Sequence, residues 1–290
     1  MKYHVVRGRV EAVAAALASI PLDAVRAMER NDPQYRAARM IAGRHGEAAV
    51  AFMVANALVS YRLSGRGEDY WLEYARWAVK QNTPRTGKEL VEIVKEFLYT
   101  SKINKAVRRH KAARLVKAEP VIDSLLREPE RYRDLGDLVS ALRARLPARG
   151  PGKTLFFAAK MAYYAYSVLG IDAVLDTVDS IPVDRRVALI TSSSMVVDAR
   201  PEELTVRGWG SVIEAWRMVS RLSRLPVLRI DTVIWLPLPR SEPYLRRGLL
   251  ASARDRYAEG LVEYSSGLIP WATAHNTAQQ LLYRNPWGQR

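Results

Sequence analysis

Apolar residues recur every three to four positions along most of this chain, from Val10 to Ile20, from Glu47 to Leu63 and from Glu89 to Tyr99. That spacing lines one face of an α-helix, and the Ala, Leu, Arg and Glu of the same segments favour helix intrinsically. The pattern breaks at Asp32-Pro33, Ser64 to Glu68, Gln81 to Gly87, Pro147 to Gly152 and Ser180 to Val183, where Pro and Gly punctuate the chain. Short β-prone pieces such as Val233 to Leu236 are too isolated to pair into a sheet. No internal repeat is evident. The pattern predicts an all-α protein of roughly ten or more helices joined by short turns. Residues 102–117 carry Lys102, Lys105, Arg108, Arg109, Lys111, Arg114 and Lys117, with Ile103, Ala106, Leu115 and Val116 between them. They read as an amphipathic helix whose cationic face is either solvated or set against phosphate. Residues Leu261 to Leu282 again show helical spacing.

Composition narrows the class. With 290 residues, 49% of them hydrophobic, the chain can bury a real core and is not disordered in bulk. Lys and Arg number 45 against 30 Asp and Glu, a net charge of +15. Such an excess suits a polyanion, because each neutralised phosphate releases counterions; a surface tuned for solubility or heat is the plainer explanation. There is no cysteine, which excludes disulfides, thiolate zinc sites and Cys-ligated iron–sulfur clusters. His4, His45, His110 and His275 lack metal-ligand spacing, so neither a metal nor a cofactor is expected. Chemistry then falls to lysine, carboxylates, hydroxyls or a loosely held ion. No apolar run is long enough to span a membrane and the N-terminus is not signal-like, so a soluble intracellular protein is expected.

The segment from Leu135 to Leu169 is the most informative. Two amphipathic stretches, Leu135 to Leu146 and Thr154 to Val168, flank Pro147-Ala148-Arg149-Gly150-Pro151-Gly152, and Lys153 opens the second. Two helices about a Gly-containing turn make a helix–hairpin–helix, whose free backbone N–H groups can hold a DNA phosphate; Gly150 and Gly152 are the candidates. A cation is poorly placed at the positive end of a helix, while attack on a glycosidic carbon needs a neutral amine. Lys153, Phe157 and Lys160 fall at i, i+4 and i+7, hence on one face. A ring between two amines suits an unstacked base, although a core Phe157 flanked by surface lysines is the plainer explanation. Further on, Asp184 follows Ile181-Pro182-Val183 and precedes a helical run from Arg185 to Met195. Helix capping alone accounts for an Asp there, but a carboxylate could also stabilise a sugar cation.

The combination resembles the helix–hairpin–helix DNA glycosylase superfamily. Leu146-Pro147-Ala148-Arg149-Gly150-Pro151-Gly152-Lys153 is similar to its hairpin leading into the catalytic lysine, and Ile181-Pro182-Val183-Asp184 to its Pro-Val-Asp element. Within that superfamily, Asp32-Pro33-Gln34-Tyr35-Arg36-Ala37, Arg44-His45-Gly46-Glu47, Asn56 to Leu63, Gly65 to Trp71, Tyr164-Ala165-Tyr166 and Ile230 to Trp235 resemble the archaeal 8-oxoguanine DNA glycosylases (AGOG). The resemblance spans residues 32–236 in order, loosely over 83–146, and departs after Trp235, where Leu236-Pro237-Leu238-Pro239 interrupts a helix.

The resemblance implies a fold of two helical subdomains with the active site in the cleft between them. A glycosylase core of residues 1–236, its hairpin at about 135–169, is followed by an extension at 237–290. It implies Lys153 as Schiff-base nucleophile and Asp184 as its carboxylate. Phe157 and Trp235 would stack on a flipped base, Gln34, Lys160 and Asp231 would read its polar edges, and Trp71 would close the pocket. Asp231 and Trp235, at i and i+4, can share a helical face. The expected partner is double-stranded DNA carrying an oxidised purine, met by a monomer near the nucleoid. The alternatives are a glycosylase for another damaged base and a non-catalytic DNA-binding hairpin protein.

Overall fold

The computed structural model describes residues 3–147 and 150–288. Among them the chain is helical, with two isolated β-bridges and no strand. Helices α1 (Arg7–Ala18) and α2 (Leu22–Arg30) are followed by α3 (Pro33–His45), α4 (Ala49–Ala57), α5 (Gly67–Ala78) and α6 (Gly87–Thr100). Then come α7 (Arg108–Arg127), α8 (Leu135–Arg145), α9 (Lys153–Leu169), α10 (Arg185–Ser193) and α11 (Pro201–Val206). The chain continues through α12 (Trp209–Ser223), α13 (Val227–Trp235), α14 (Leu238–Arg246), α15 (Leu250–Tyr264) and α16 (Trp271–Leu281). No helix among the described residues is long and apolar enough to cross a membrane.

The chain forms two compact units. One, here the inserted unit, is continuous, from Asp32 to Val178; the other, the split unit, joins the chain up to Asn31 with the chain from Asp179 on.

In the inserted unit, α9 packs against α3, α4 and α8. Every residue of α4 is buried, and all but Asn56, which accepts from the Tyr70 hydroxyl, are apolar, as a helix enclosed by others requires. Tyr70, Trp71 and Tyr74 of α5 are fully buried; Trp71 meets both tyrosines edge-on, and Tyr70 and Tyr74 each meet Phe97 of α6 with tilted rings. In the split unit, Val10, Val13 and Leu17 of α1 share a core with Met28, Trp216, Ile234, Tyr257 and Leu281.

Most expected breaks separate helices here, and three expectations change. The stretch from Glu47 to Leu63 is helical only to Ala57; Leu58 and Val59 turn away and Arg62 takes a φ of 50°. Residues 102–107 are not helical. Val107, with a φ of 50°, starts α7 late, and Lys111 lies fully buried instead of on a cationic face. Its ammonium donates to Asn104 Oδ1 and sits 4.6 Å from the centre of the Tyr61 ring. Burial, with Arg108 and Arg62 nearby, pushes the Lys111 amine down to about 8. Val233 to Leu236 belongs to α13 and the turn after it, and the spacing from Leu261 to Leu282 covers two helices parted by a turn at Gly267, whose φ is 81°.

The departure expected after Trp235 falls inside the split unit. The chain beyond it is packed into the same core. Tyr257 Oη donates to the Val233 carbonyl at 2.9 Å, and a Cβ on Gly260 would lie 2.9 Å from Pro237 Cβ, so α15 lies directly on the turn after α13.

Candidate active site

Lys153 is the first residue of α9 and its side chain is exposed. Gly152 before it takes a φ of 65°, a left-handed conformation that glycine adopts without strain and that turns the chain into the helix. Gly150 is exposed and Gly152 half-buried. Ala148 and Arg149, in the same turn, lie outside the described residues. The first turn of α9 is tied to α7, since Arg114 Nη2 donates to Thr154 Oγ1 at 2.7 Å. Desolvation lowers the Arg114 guanidinium from its ordinary value, yet it stays cationic because that value is so high.

Deeper along the same helix the expected face takes shape. Phe157 is half-buried and meets Trp71 edge-on, ring centres 5.9 Å apart. Trp71 is 1% exposed, so it backs Phe157 from within the core. Lys160 is buried, its ammonium 5.6 Å from the centre of the Tyr164 ring. Gln34 is buried in the first turn of α3, whose N-cap is Asp32. The Asp32 carboxylate accepts the Gln34 backbone N–H at 2.9 Å and the Tyr164 hydroxyl at 2.9 Å. With the Gln34 amide turned to satisfy both of its ends, its nitrogen donates to the two Asp32 oxygens at 2.8 and 3.0 Å. The Gln34 carbonyl oxygen is then the end directed elsewhere. Asp32 and Tyr164 were visible in the sequence only as pieces of longer matches; the clue to Asp32 was an Asp directly before a Pro-started helix.

The remaining candidates belong to the split unit. Asp184 is the N-cap of α10 and accepts the Val187 N–H at 2.9 Å. Buried Ile181 and Val183 anchor the turn that delivers it. Asp231 is buried on α13, and Trp235, one turn later on the same face, is half-buried at that helix's last residue. Sequence reasoning missed the neighbour of Trp235. The Arg186 guanidinium lies 3.9 Å from the centre of its ring, and Arg186 Nη1 approaches the Trp235 carbonyl at 3.5 Å. A cation two residues past an aspartate carries no local signal that would pair it with a residue some fifty positions away.

The structure thus gathers Gln34, Trp71, Phe157 and Lys160 with Lys153 on the helices of one unit, and Asp184, Asp231 and Trp235 on two packed helices of the other. No three His, Asp or Glu side chains among the described residues are grouped so as to hold a metal ion.

This all-helical architecture, with a lysine opening the second helix of a hairpin, is that of a helix–hairpin–helix DNA glycosylase. The chain belongs to the AGOG family of N-glycosylase/DNA lyases, whose family model matches residues 14–259. An N-glycosylase/DNA lyase of Pyrobaculum aerophilum is 33% identical over 233 residues, 79% of this chain and 85% of the relative. One from Aeropyrum pernix is 33% identical over 267 residues, 86% and 91% of the two chains. The crystal structure of the P. aerophilum 8-oxoguanine DNA glycosylase complexed with 8-oxoguanosine superposes with a TM-score of 0.69 at 31% identity. The match covers 80% of this chain and 88% of that one.

Proposed function

We propose that this chain excises 8-oxoguanine from double-stranded DNA and then nicks the strand, as a bifunctional N-glycosylase and lyase that uses Lys153 as nucleophile. The observation that carries the reading is Lys153 itself, an exposed amine at the start of α9 behind a left-handed glycine, with Phe157 and Lys160 further along the helix. The 8-oxoguanosine bound by the structural relative supports the choice of lesion.

The basic surface draws in the duplex, and the hairpin at Gly150 and Gly152 holds a phosphate. The damaged nucleotide leaves the stack at a cost of roughly a few kcal/mol. Phe157 and Trp235 stack on the flipped base, Trp71 backs Phe157, and Lys160, Asp231 and the Gln34 carbonyl oxygen meet its polar edges. The Lys153 amine attacks C1′ as the glycosidic bond breaks, while Asp184 stabilises the positive charge developing on the sugar. The base leaves with the proton lost by the amine; the C1′–O4′ bond then opens, O4′ takes up a proton, and the iminium left on Lys153 acidifies the C2′ hydrogens. Loss of one expels the 3′ phosphate, and water then releases the lysine.

Borohydride reduction of the reacting complex is expected to trap the chain covalently on DNA containing 8-oxoguanine. Trapping that survives Lys153→Gln would falsify the nucleophile assignment. Asp184→Asn should slow turnover by at least a hundredfold while duplex affinity stays within a few-fold.

A further inference from the structure

We propose that Arg186 is a positioning residue for base recognition, holding the Trp235 indole from behind so that its opposite face receives the flipped purine. This rests on the reading of Trp235 as a base-stacking residue and extends it to a side chain that touches neither base nor sugar.

Three observations meet at this pair. The Arg186 guanidinium lies 3.9 Å from the Trp235 ring centre, close enough to be in stacking contact with one face. Its Nη1 also approaches the Trp235 carbonyl at 3.5 Å. Trp235 ends α13, where carbonyls lack helical partners and a cation is favoured, so one side chain serves both the helix end and the ring. Arg186 is the second residue of α10, whose N-cap is Asp184. The aspartate proposed to act on the sugar and the cation behind the indole are thus borne by one helical turn.

The physical effect is twofold. A ring held between a guanidinium and a ligand has little rotamer freedom left to lose on binding. A cation on one face also draws π density toward itself, which lessens the repulsion felt by an electron-rich purine stacked on the other. Lysine supplies the charge but not the planar stack.

Two single-turnover rates on one duplex test this: excision of 8-oxoguanine, and β-elimination at an abasic site made beforehand, which has no base to stack. Arg186→Gln should slow excision about tenfold and leave β-elimination within about twofold of wild type, with Arg186→Lys in between. In a Trp235→Ala background, Arg186→Gln should cost nothing further. Equal loss of both rates would overturn the inference, since the residue would then act through Asp184 or the fold. So would a tenfold loss that persists without Trp235, or unchanged excision in Arg186→Gln. A wild-type chain that excises no 8-oxoguanine overturns the functional reading, and this inference with it.

Discussion

Helices α9 and α10 open on groups of opposite charge, and their surroundings differ accordingly. At α10, the Asp184 carboxylate accepts the Val187 N–H at 2.9 Å at the positive end of the helix, so hydrogen bonding and dipole agree. At α9, Gly152 offers no side-chain cap, and the residue after it is a lysine whose charge opposes the dipole. Folding alone would retain the aspartate. It has no use for the lysine, yet Arg114 pins the neighbouring Thr154 from another helix. A group that stability does not explain, on a helix start that is held in place, points to use. The two proposed catalytic groups should therefore respond differently to substitution: Asp184 reports stability and chemistry together, Lys153 chemistry almost alone.

The comparison can be sharpened first with a third charged group. Lys111 is disfavoured by burial, and its amine is pushed down to about 8 in the folded chain. Between that value and the ordinary lysine range the unfolded chain holds a proton that the folded chain has released. Stability therefore rises with pH from about 8 to about 10.5, and below 8 the burial cost is felt in full. Wild type should gain up to about 3 kcal/mol over that window relative to Lys111→Met, read from guanidinium unfolding at successive pH values. Parallel profiles for the two proteins would show that the buried amine is not strained by desolvation.

The next effect concerns the cap. Asp184→Ala should lower unfolding free energy by about 1 kcal/mol, and Asp184→Asn, which keeps an acceptor oxygen, by less than about half of that. If Asn destabilises as much as Ala, the charge rather than the hydrogen bond holds α10, and the contrast with α9 weakens. The smallest effect is at Lys153. Lys153→Gln should leave stability unchanged or raise it by about 0.5 kcal/mol, because an unfavourable charge leaves the helix start. A loss above about 1 kcal/mol would mean that the lysine is structural after all.

What could be read from the sequence was local. The hairpin, the break at Asp32-Pro33 and the Asp184 cap depend on residues within a turn of one another, so period and punctuation revealed them. The burial of Lys111 was hidden because it depends on Val107 entering the left-handed region and on Asn104 reaching back to the Val59 carbonyl at 3.1 Å. The place of Trp71 was half-legible: the resemblance implied that it closes the pocket, while its edge-on contact with Phe157 is visible only in the fold. Where α15 lies was not legible at all, since Gly260 meets Pro237 across a separation that no periodic pattern spans.

The order of segments has a consequence for how the molecule is made. Helix α1 packs against α12 and α16, yet the whole of residues 32–178 is synthesised between them. At roughly 5–20 residues per second, α1 waits on the order of ten seconds or more for α12 to be translated. The inserted unit has its helices in one continuous run and can assemble as it emerges. Until then Val10, Val13 and Leu17 have none of their α12 and α16 partners. The emerging chain therefore carries an apolar helix without its partners, and the ribosome-bound intermediate, rather than the finished enzyme, is the form most exposed to aggregation.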